Sequence, residues 1–583
     1  MIQNYRRNYT MILSSFLIAS ITGLLLVSTS TLPGYASTSN TNNNDNSNMT
    51  ISPYAVLTTT PNMIAAGGPI PPNWTMAQEE AQCAASLENP GWYRTLNPAT
   101  HYDSARSVLV SCAQFPGSYT GPNDVYAYPA PELYINPWNI ATRGIDEMYL
   151  YGGSNGGANP YSPAYVSRVE LGSLNEIWRT YLNNFNLTDS FSLSGAGNML
   201  ADGSIGAVTT HQAYKLNATT GAIEAVLNLP TGDNPPTDSG FNGYSAFPGD
   251  GKLIFKSFNR PVGCTMNGYD AAAFECPGSL ASPNPTSNPS VLSVVDPETW
   301  EVLDWVQASE NGGGRITASE FDGNNYAYFA GTSNVFRYVW DGNNISLDET
   351  WGPVPYLKPG QGPSGSVMIL NDWVVLTTNG VPVDAPMSVV AISQEDASKV
   401  TRIDPIPLEA GQQSQYPAHG SVDPENNRIY AMDFGVQKAF AVDIDPNTGN
   451  MSVAWVEPQW SRSYITLIGP TYDRVFVNTN ISSPVTQNAS ELNGWSDNAN
   501  YVEQMQWRDA ATGKLLAASD FFPPATFEGP VPVGYGGMIY DVLNNGNVIA
   551  LQVLPVSNVT STANTTSTTT STTAGQNSTS EPG

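Results

Sequence analysis

Along most of this chain apolar and polar residues alternate at period two over short stretches. Ala439–Asp443 and Met451–Trp455 are two examples, each placing every second side chain on one face as half-buried strands require. The stretches are joined by a recurring turn. Asn217–Gly221, Asp296–Trp300, Asp445–Gly449 and Asp509–Gly513 share the pattern Asp/Asn-x-x-Thr-Gly/Trp. The Asp or Asn side chain accepts the backbone bonds of a tight hairpin, and the Gly takes its positive φ. A second turn precedes each of these, at Asp202-Gly203, Asp250-Gly251, Asp322-Gly323, Asn371-Asp372, Asn426-Asn427, Tyr472-Asp473 and Asn545-Gly546.

The first apolar residues after these second turns are Ile205, Leu253, Tyr326, Trp373, Ile429, Val475 and Val548, separated by 48, 73, 47, 56, 46 and 73 residues. A unit near 47 with two long insertions is the period of a four-stranded propeller blade. One insertion holds Cys264 and Cys276; the other spans 482–500. An earlier unit begins at Met148–Tyr151, and a final half unit at Gly537–Val542 and Val548–Leu554 needs partner strands from elsewhere to cover its edge. Ser107–Ser111 and Asp124–Tyr128 are the candidates. The pattern therefore predicts an all-β chain: a single β-propeller of eight blades with four antiparallel strands each. Seven blades is the alternative if the upstream strands form a separate cap. Thr75–Glu88 alone reads as a short helix, with Thr75 and Gln78 forming a capping box.

The two ends set the expected compartment. Arg6-Arg7, the apolar run Met11–Val27 and Gly34-Tyr35-Ala36 have the three parts of a secretory signal peptide. A retained membrane anchor is the rival reading, which the short, Ser/Thr-diluted run disfavours. Residues 37–70 read as a polar linker, 71–139 as a helix and strands that complete or cap the ring, 140–555 as the propeller, and 556–583 as a Ser/Thr/Asn-rich disordered stalk. Asn-x-Ser/Thr triplets recur, three of them at Asn558, Asn564 and Asn577 in that stalk, so a secreted or cell-surface glycoprotein is expected, with no membrane span in the mature chain.

Composition narrows the partners. Lys and Arg number 22 against 50 Asp and Glu, for a net charge of −28. Such a surface repels nucleic acid and anionic lipid. Four cysteines in an exported chain favour disulfides, and nearest-neighbour pairing gives Cys83–Cys112 and Cys264–Cys276 among three possible connectivities.

The stretch Ala441–Gly449 followed by Trp455 resembles the repeat of the quinoprotein (pyrroloquinoline-quinone-like) propellers, Ala-x-Asp-x-x-Thr-Gly-x-x-x-Trp with slight spacing freedom. Trp507–Lys514 is similar but runs on to Ala517-Ala518 in place of Trp, and the unit at Asp296 has Trp300 where Gly belongs. About half the units carry the sharp motif. The resemblance implies a ring with a central funnel and, for dehydrogenase relatives, the quinone (PQQ), a calcium ion, a catalytic Asp and a stacking Trp. No segment here matches that cofactor-binding set, so no cofactor is assigned. Fold alone does not give function.

Aligning the units on their turns puts Tyr244, Arg315, Ser366, His419, Tyr464 and Tyr535 at the funnel mouth, with Arg462 beside Tyr464. Converging cations and tyrosines in so acidic a chain would suit an unidentified anionic or glycan-like ligand; ion pairs with local acids such as Glu310 and Glu320 are the alternative for the arginines. Two functions compete: a monomeric, non-catalytic exported propeller that binds a ligand through its funnel, and a PQQ- and calcium-dependent oxidoreductase of alcohols or sugars. A lyase using His419 with a metal is a third.

Overall fold

The computed structural model describes residues 75–86, 91–131, 133–135, 137–153, 163–171, 173–182, 195–259, 288–416, 419–483, 501–526 and 529–554. They form an eight-bladed β-propeller with four antiparallel strands per blade and a single α-helix, Met76–Ser86. The innermost strands of blades 1 to 8 are Pro137–Gly144, Ala196–Met199, Ser239–Ala246, Thr317–Phe321, Val367–Leu370, Ser421–Asp423, Thr466–Ile468 and Val533–Gly534.

The last blade closes the ring with strands from both ends of the described chain. Its three inner strands are Val533–Gly534, Met538–Val542 and Val548–Val553, and its outermost is Val125–Pro129, paired Val125 to Val553 and Ala127 to Leu551. Val548 therefore opens a third strand, whereas the corresponding residue of the other units opens a second. The turn into the second strand of blade 8 is at Gly536-Gly537, not Asn545-Gly546. The other candidate closing segment does something else: Leu109–Val110 pairs in parallel with the innermost strand of blade 7, inside the channel.

Tryptophan geometry explains why the repeat degenerates where it does. Trp455 on the outermost strand of blade 6 lies on the motif turn of blade 7, its Nε1 donating to Ala510 O at 3.0 Å. A Cβ on Gly513 of that turn would come within 2.9 Å of the Trp455 ring. Trp178 of blade 1 meets Gly221 of blade 2 in the same way, with Nε1 donating to Thr219 O at 3.1 Å. Each Trp thus needs a Gly one blade on. Blade 2 ends in Ile223–Asn228 without a Trp, and blade 3 correspondingly has Trp300 in the Gly position, buried and donating back to Ala213 O at 3.4 Å. Trp305 of blade 3 faces a blade 4 that lacks the motif, and it is 46 % exposed. An outermost-strand Trp and a Gly thus pair across the junctions of blades 1 and 2 and of blades 6 and 7, and the reversed arrangement joins blades 2 and 3.

The helix begins with the expected reciprocal cap: Gln78 N–H donates to Thr75 Oγ1 at 3.2 Å and Thr75 N–H to Gln78 Oε1 at 2.8 Å. A disulfide joins Cys83 of this helix to Cys112. Cys264 and Cys276 lie outside the described residues. Among the described residues no helix is long and apolar enough to cross a membrane.

Glu79 anchors the same helix. Its buried carboxylate accepts from Gly536 N–H at 2.7 Å and Gln114 N–H at 3.0 Å. Burial nevertheless pushes its pKa from 4.5 up to about 8. A carboxyl with a raised folded pKa keeps its proton in the fold but loses it in the unfolded chain between those two values. Its stabilising contribution is full below pH 4.5 and is lost as pH rises through 8. We expect Glu79→Gln to flatten the fall in unfolding free energy between pH 5 and 7.5 by on the order of 1 kcal/mol per pH unit relative to the parent. Urea unfolding at several pH values checks this; parallel pH profiles would refute it.

Candidate functional site: the central channel

The channel is lined by the chain itself. Residues 95–110 run once around the inside of the ring, taking the blades in order. Tyr535 O–H, beside the innermost strand of blade 8, lies 2.9 Å from Thr95 Oγ1. Thr142 N–H of blade 1 then donates to Asn97 O (2.9 Å) and Met199 N–H of blade 2 to Pro98 O (2.7 Å). Ser245 Oγ of blade 3 and Ala318 N–H of blade 4 both donate to Ser104 O, at 3.3 and 2.9 Å. Ile369, Val422 and Leu467, of blades 5, 6 and 7, donate to the carbonyls of Ala105, Ser107 and Val108 at 3.0, 3.0 and 2.9 Å. The innermost strands of a propeller present unpaired edges to the axis, and this inner collar satisfies them. Following so tight a curve puts Tyr102, Arg106 and Val108 at φ of 69°, 59° and 51°, a region non-glycine residues enter only at a cost.

Side chains of the collar fill the axis. Arg106, 2 % exposed, donates from Nε to His419 Nε2 at 3.2 Å and from Nη2 to Ser366 Oγ at 3.3 Å. Its Nη2 also lies 2.8 Å from His101 Nε2. His419 Nδ1–H donates to Gly420 O at 2.6 Å, which leaves Nε2 as the acceptor. Burial, then the charge of Arg106, hold both imidazoles well below their ordinary pKa and therefore neutral. The rings of His101, His419 and Tyr464 pack at centroid distances of 4.6, 4.9 and 5.7 Å.

Four of the seven residues read from the turn alignment thus converge with the collar, Ser366 among them through Arg106 Nη2. Arg315 Nη1 lies 3.5 Å from His101 Nδ1, and Nη2 donates to Gly195 O at 3.1 Å; His419 and Tyr464 complete the group. The other three part from it. Tyr244 stacks on Phe255 at 4.6 Å and donates to Gly206 O at 2.8 Å. Tyr535 holds the start of the collar through Thr95 and Leu96, whose N–H donates to it at 3.3 Å. Arg462 lies over the Tyr501 ring, 5.0 Å from its centroid, and its charge acts on Glu503. Arg462 and Tyr464 are two apart along an inner-strand entry, yet the first faces the side of blade 7 and the second the axis.

The collar residues His101, Asp103 and Arg106 carry no repeat signature. One signal was available: Cys83 and Cys112 bracket a stretch with little strand alternation just upstream of the ring. Lys256, buried on the second strand of blade 3, donates to Gly312 O at 2.7 Å and Ser257 O at 3.1 Å, its pKa lowered to about 7 by burial and then by Arg106.

Neither of two cavities beside the collar has room for a quinone. Two cavities border the collar, one beside Arg106 and Arg315 and one between Tyr102, Val108 and Val531, and each has room for about one water molecule. A cofactor-sized site needs roughly 300 Å³ or more. Among the described residues no three acidic, histidine or cysteine side chains gather as metal ligands. His419 as general base meets the same obstacle, since its free nitrogen is occupied by Arg106 in a buried setting.

No family model matches this chain, and no curated protein matches it. Solved structures do. Quinohemoprotein alcohol dehydrogenase from Comamonas testosteroni matches at 12 % identity and a TM-score of 0.46, over 82 % of this chain and 84 % of that one. Quinohemoprotein alcohol dehydrogenase ADHIIG from Pseudomonas putida HK5 gives 9 % and 0.47, over 81 % and 82 %. BamB from Moraxella catarrhalis gives 10 % and 0.40, over 74 % and 99 %. The protein is an eight-bladed β-propeller whose neighbours among solved structures include PQQ-type dehydrogenases and BamB.

Proposed function

We propose that this chain is an exported, non-catalytic propeller that binds a partner through the loops on the mouth face of the ring. The observation that carries the reading is the collar: the axis of the ring holds Arg106, His101 and the carbonyl-bonded backbone around them. The register supports the choice of face. The second strands of blades 1, 3 and 7 end at Gly152, Asn259 and Ser482, which pair with or extend past the starts of innermost strands. These three second strands therefore all end on one face, and connections on a rigid scaffold commonly carry recognition. The leader-like N-terminus and Ser/Thr-rich C-terminus favour display outside the cell, and the acidic surface disfavours polyanionic partners.

Titrating purified protein with pyrroloquinoline quinone and calcium is the test. We expect no stoichiometric quinone absorbance after desalting and no oxidation of primary alcohols or sugars with an added electron acceptor. A one-to-one complex at micromolar quinone would overturn the reading in favour of the oxidoreductase.

A further inference from the structure

A second buried cluster lies away from the axis, at the mouth end of the seam between blades 7 and 8. Glu503 is the second residue of the third strand of blade 7, Val502–Asp509, and Asp541 the last but one of the second strand of blade 8, Met538–Val542. Both side chains are sealed from water, at 1 % and 0 % exposure. Each has one oxygen that no donor reaches, Oε2 of Glu503 and Oδ2 of Asp541. The connection from blade 7 to blade 8 is stitched to the chain at these two points. Glu503 N–H donates to Phe522 O at 2.9 Å and Phe522 N–H to Glu503 O at 2.7 Å. Four residues on, Thr526 N–H donates to Val542 O at 2.8 Å, and Ala525 bridges to Leu543.

The groups around the two acids are shared unequally. Glu503 meets the charge of Arg462, which also lies over the Tyr501 ring, and accepts from the Thr479 hydroxyl and Ala525 N–H. Burial nonetheless raises its pKa from 4.5. Asp541 is offered one donor, Val542 N–H, which reaches Oδ1 at 2.9 Å. Burial, then the charge of Glu503, hold its pKa well above 3.8. Two such carboxylates do not both stay charged, and a proton on Oδ2 of Asp541 neutralises the oxygen that has no donor to lose. We propose that Asp541 is a proton-operated latch on the connection between blades 7 and 8: protonated, it lets Phe522–Thr526 close on the seam, and ionised beside Glu503 it drives that segment open. The sign follows from where the proton is held. Only the closed form keeps it above the ordinary carboxyl range, so closure is complete below pH 3.8 and is lost as pH rises. The latch does not depend on what the mouth face binds.

Hydrogen exchange of the full-length protein against pH reads the latch. The protection factors of the Phe522 and Thr526 amides are expected to fall about tenfold per pH unit between pH 5 and 7, the slope for an opening that releases one proton. They should stay below that of Val375, on the second strand of blade 5, which opens only with the ring. Asp541→Asn keeps an acceptor for Val542 N–H and cannot ionise, so in this variant the two factors should not change with pH. Equal slopes in parent and variant would overturn the proposal, because another group then titrates. Protection of Phe522 and Thr526 equal to that of Val375 at every pH would overturn it as well, since the segment then opens only with the whole ring. Should Asp541→Asn fail to fold, the parent decides: the tenfold slope below the protection of Val375 supports the latch, and a flat slope ends it.

Discussion

Replacing both Cys83 and Cys112 by Ser is expected to lower the unfolding free energy by about 3.5 kcal/mol, the chain-entropy value for a closed loop of this length. The bond closes a loop with a sequence separation of 29, and that loop contains almost the entire collar. Cys112 lies just past Leu109–Val110, the collar's only regular strand, and Cys83 sits in the helix that Glu79 fixes to Gly536 of blade 8. The disulfide thereby limits how far the collar can stray from the ring in the unfolded chain. Because the collar bonds to all eight blades, its loss is expected to be felt by the whole ring and not by one surface loop. Urea unfolding of the double variant beside the oxidised parent measures this. An unchanged midpoint would mean that the collar folds and holds without its tether.

Much of the ring was legible in the sequence because propeller blades repeat their chemistry. The turns at Asp445–Gly449 and Asp509–Gly513 mark third-to-outermost hairpins wherever they occur, and the spacing of Ile205, Trp373 and Val475 marks second strands. The closing strand Val125–Pro129 could be foreseen because a half blade leaves an open edge. The reading erred where the chain departs from repetition. Asn545-Gly546 looks like the other second turns, yet lies one hairpin further along, because Gly536-Gly537 makes the true turn with no Asp or Asn to announce it. Ser107–Ser111 has the composition of a strand, and composition does not say whether a strand joins the outer or the inner edge of a sheet.

The site was less legible for a physical reason. Turn alignment locates the start of each innermost strand to about a residue, and a slip of one residue reverses the face a side chain occupies. Arg315, His419 and Tyr464 fell on the axis; Arg462, Tyr244 and Tyr535 fell against neighbouring elements. The groups that meet the first three, His101 and Arg106, are hundreds of residues away in sequence from His419 and belong to no repeat. A periodic pattern reports the shared scaffold; it carries no information about a segment used once.

The account rests on that segment, and hydrogen exchange tests it most directly. The amides of Ala318, Ile369, Val422 and Leu467 sit on innermost strands and donate to collar carbonyls at 2.9–3.0 Å. In a ring with an open channel these four would face water. With the collar in place they should open only when the ring unfolds, which for a native domain corresponds to protection of at least about 10⁴-fold over an unstructured chain. We expect all four to exchange as slowly as amides of the second strands in blades 4 to 7. Exchange of these four within minutes, while the second strands stay protected, would show that the collar leaves the channel in solution and would contradict the account.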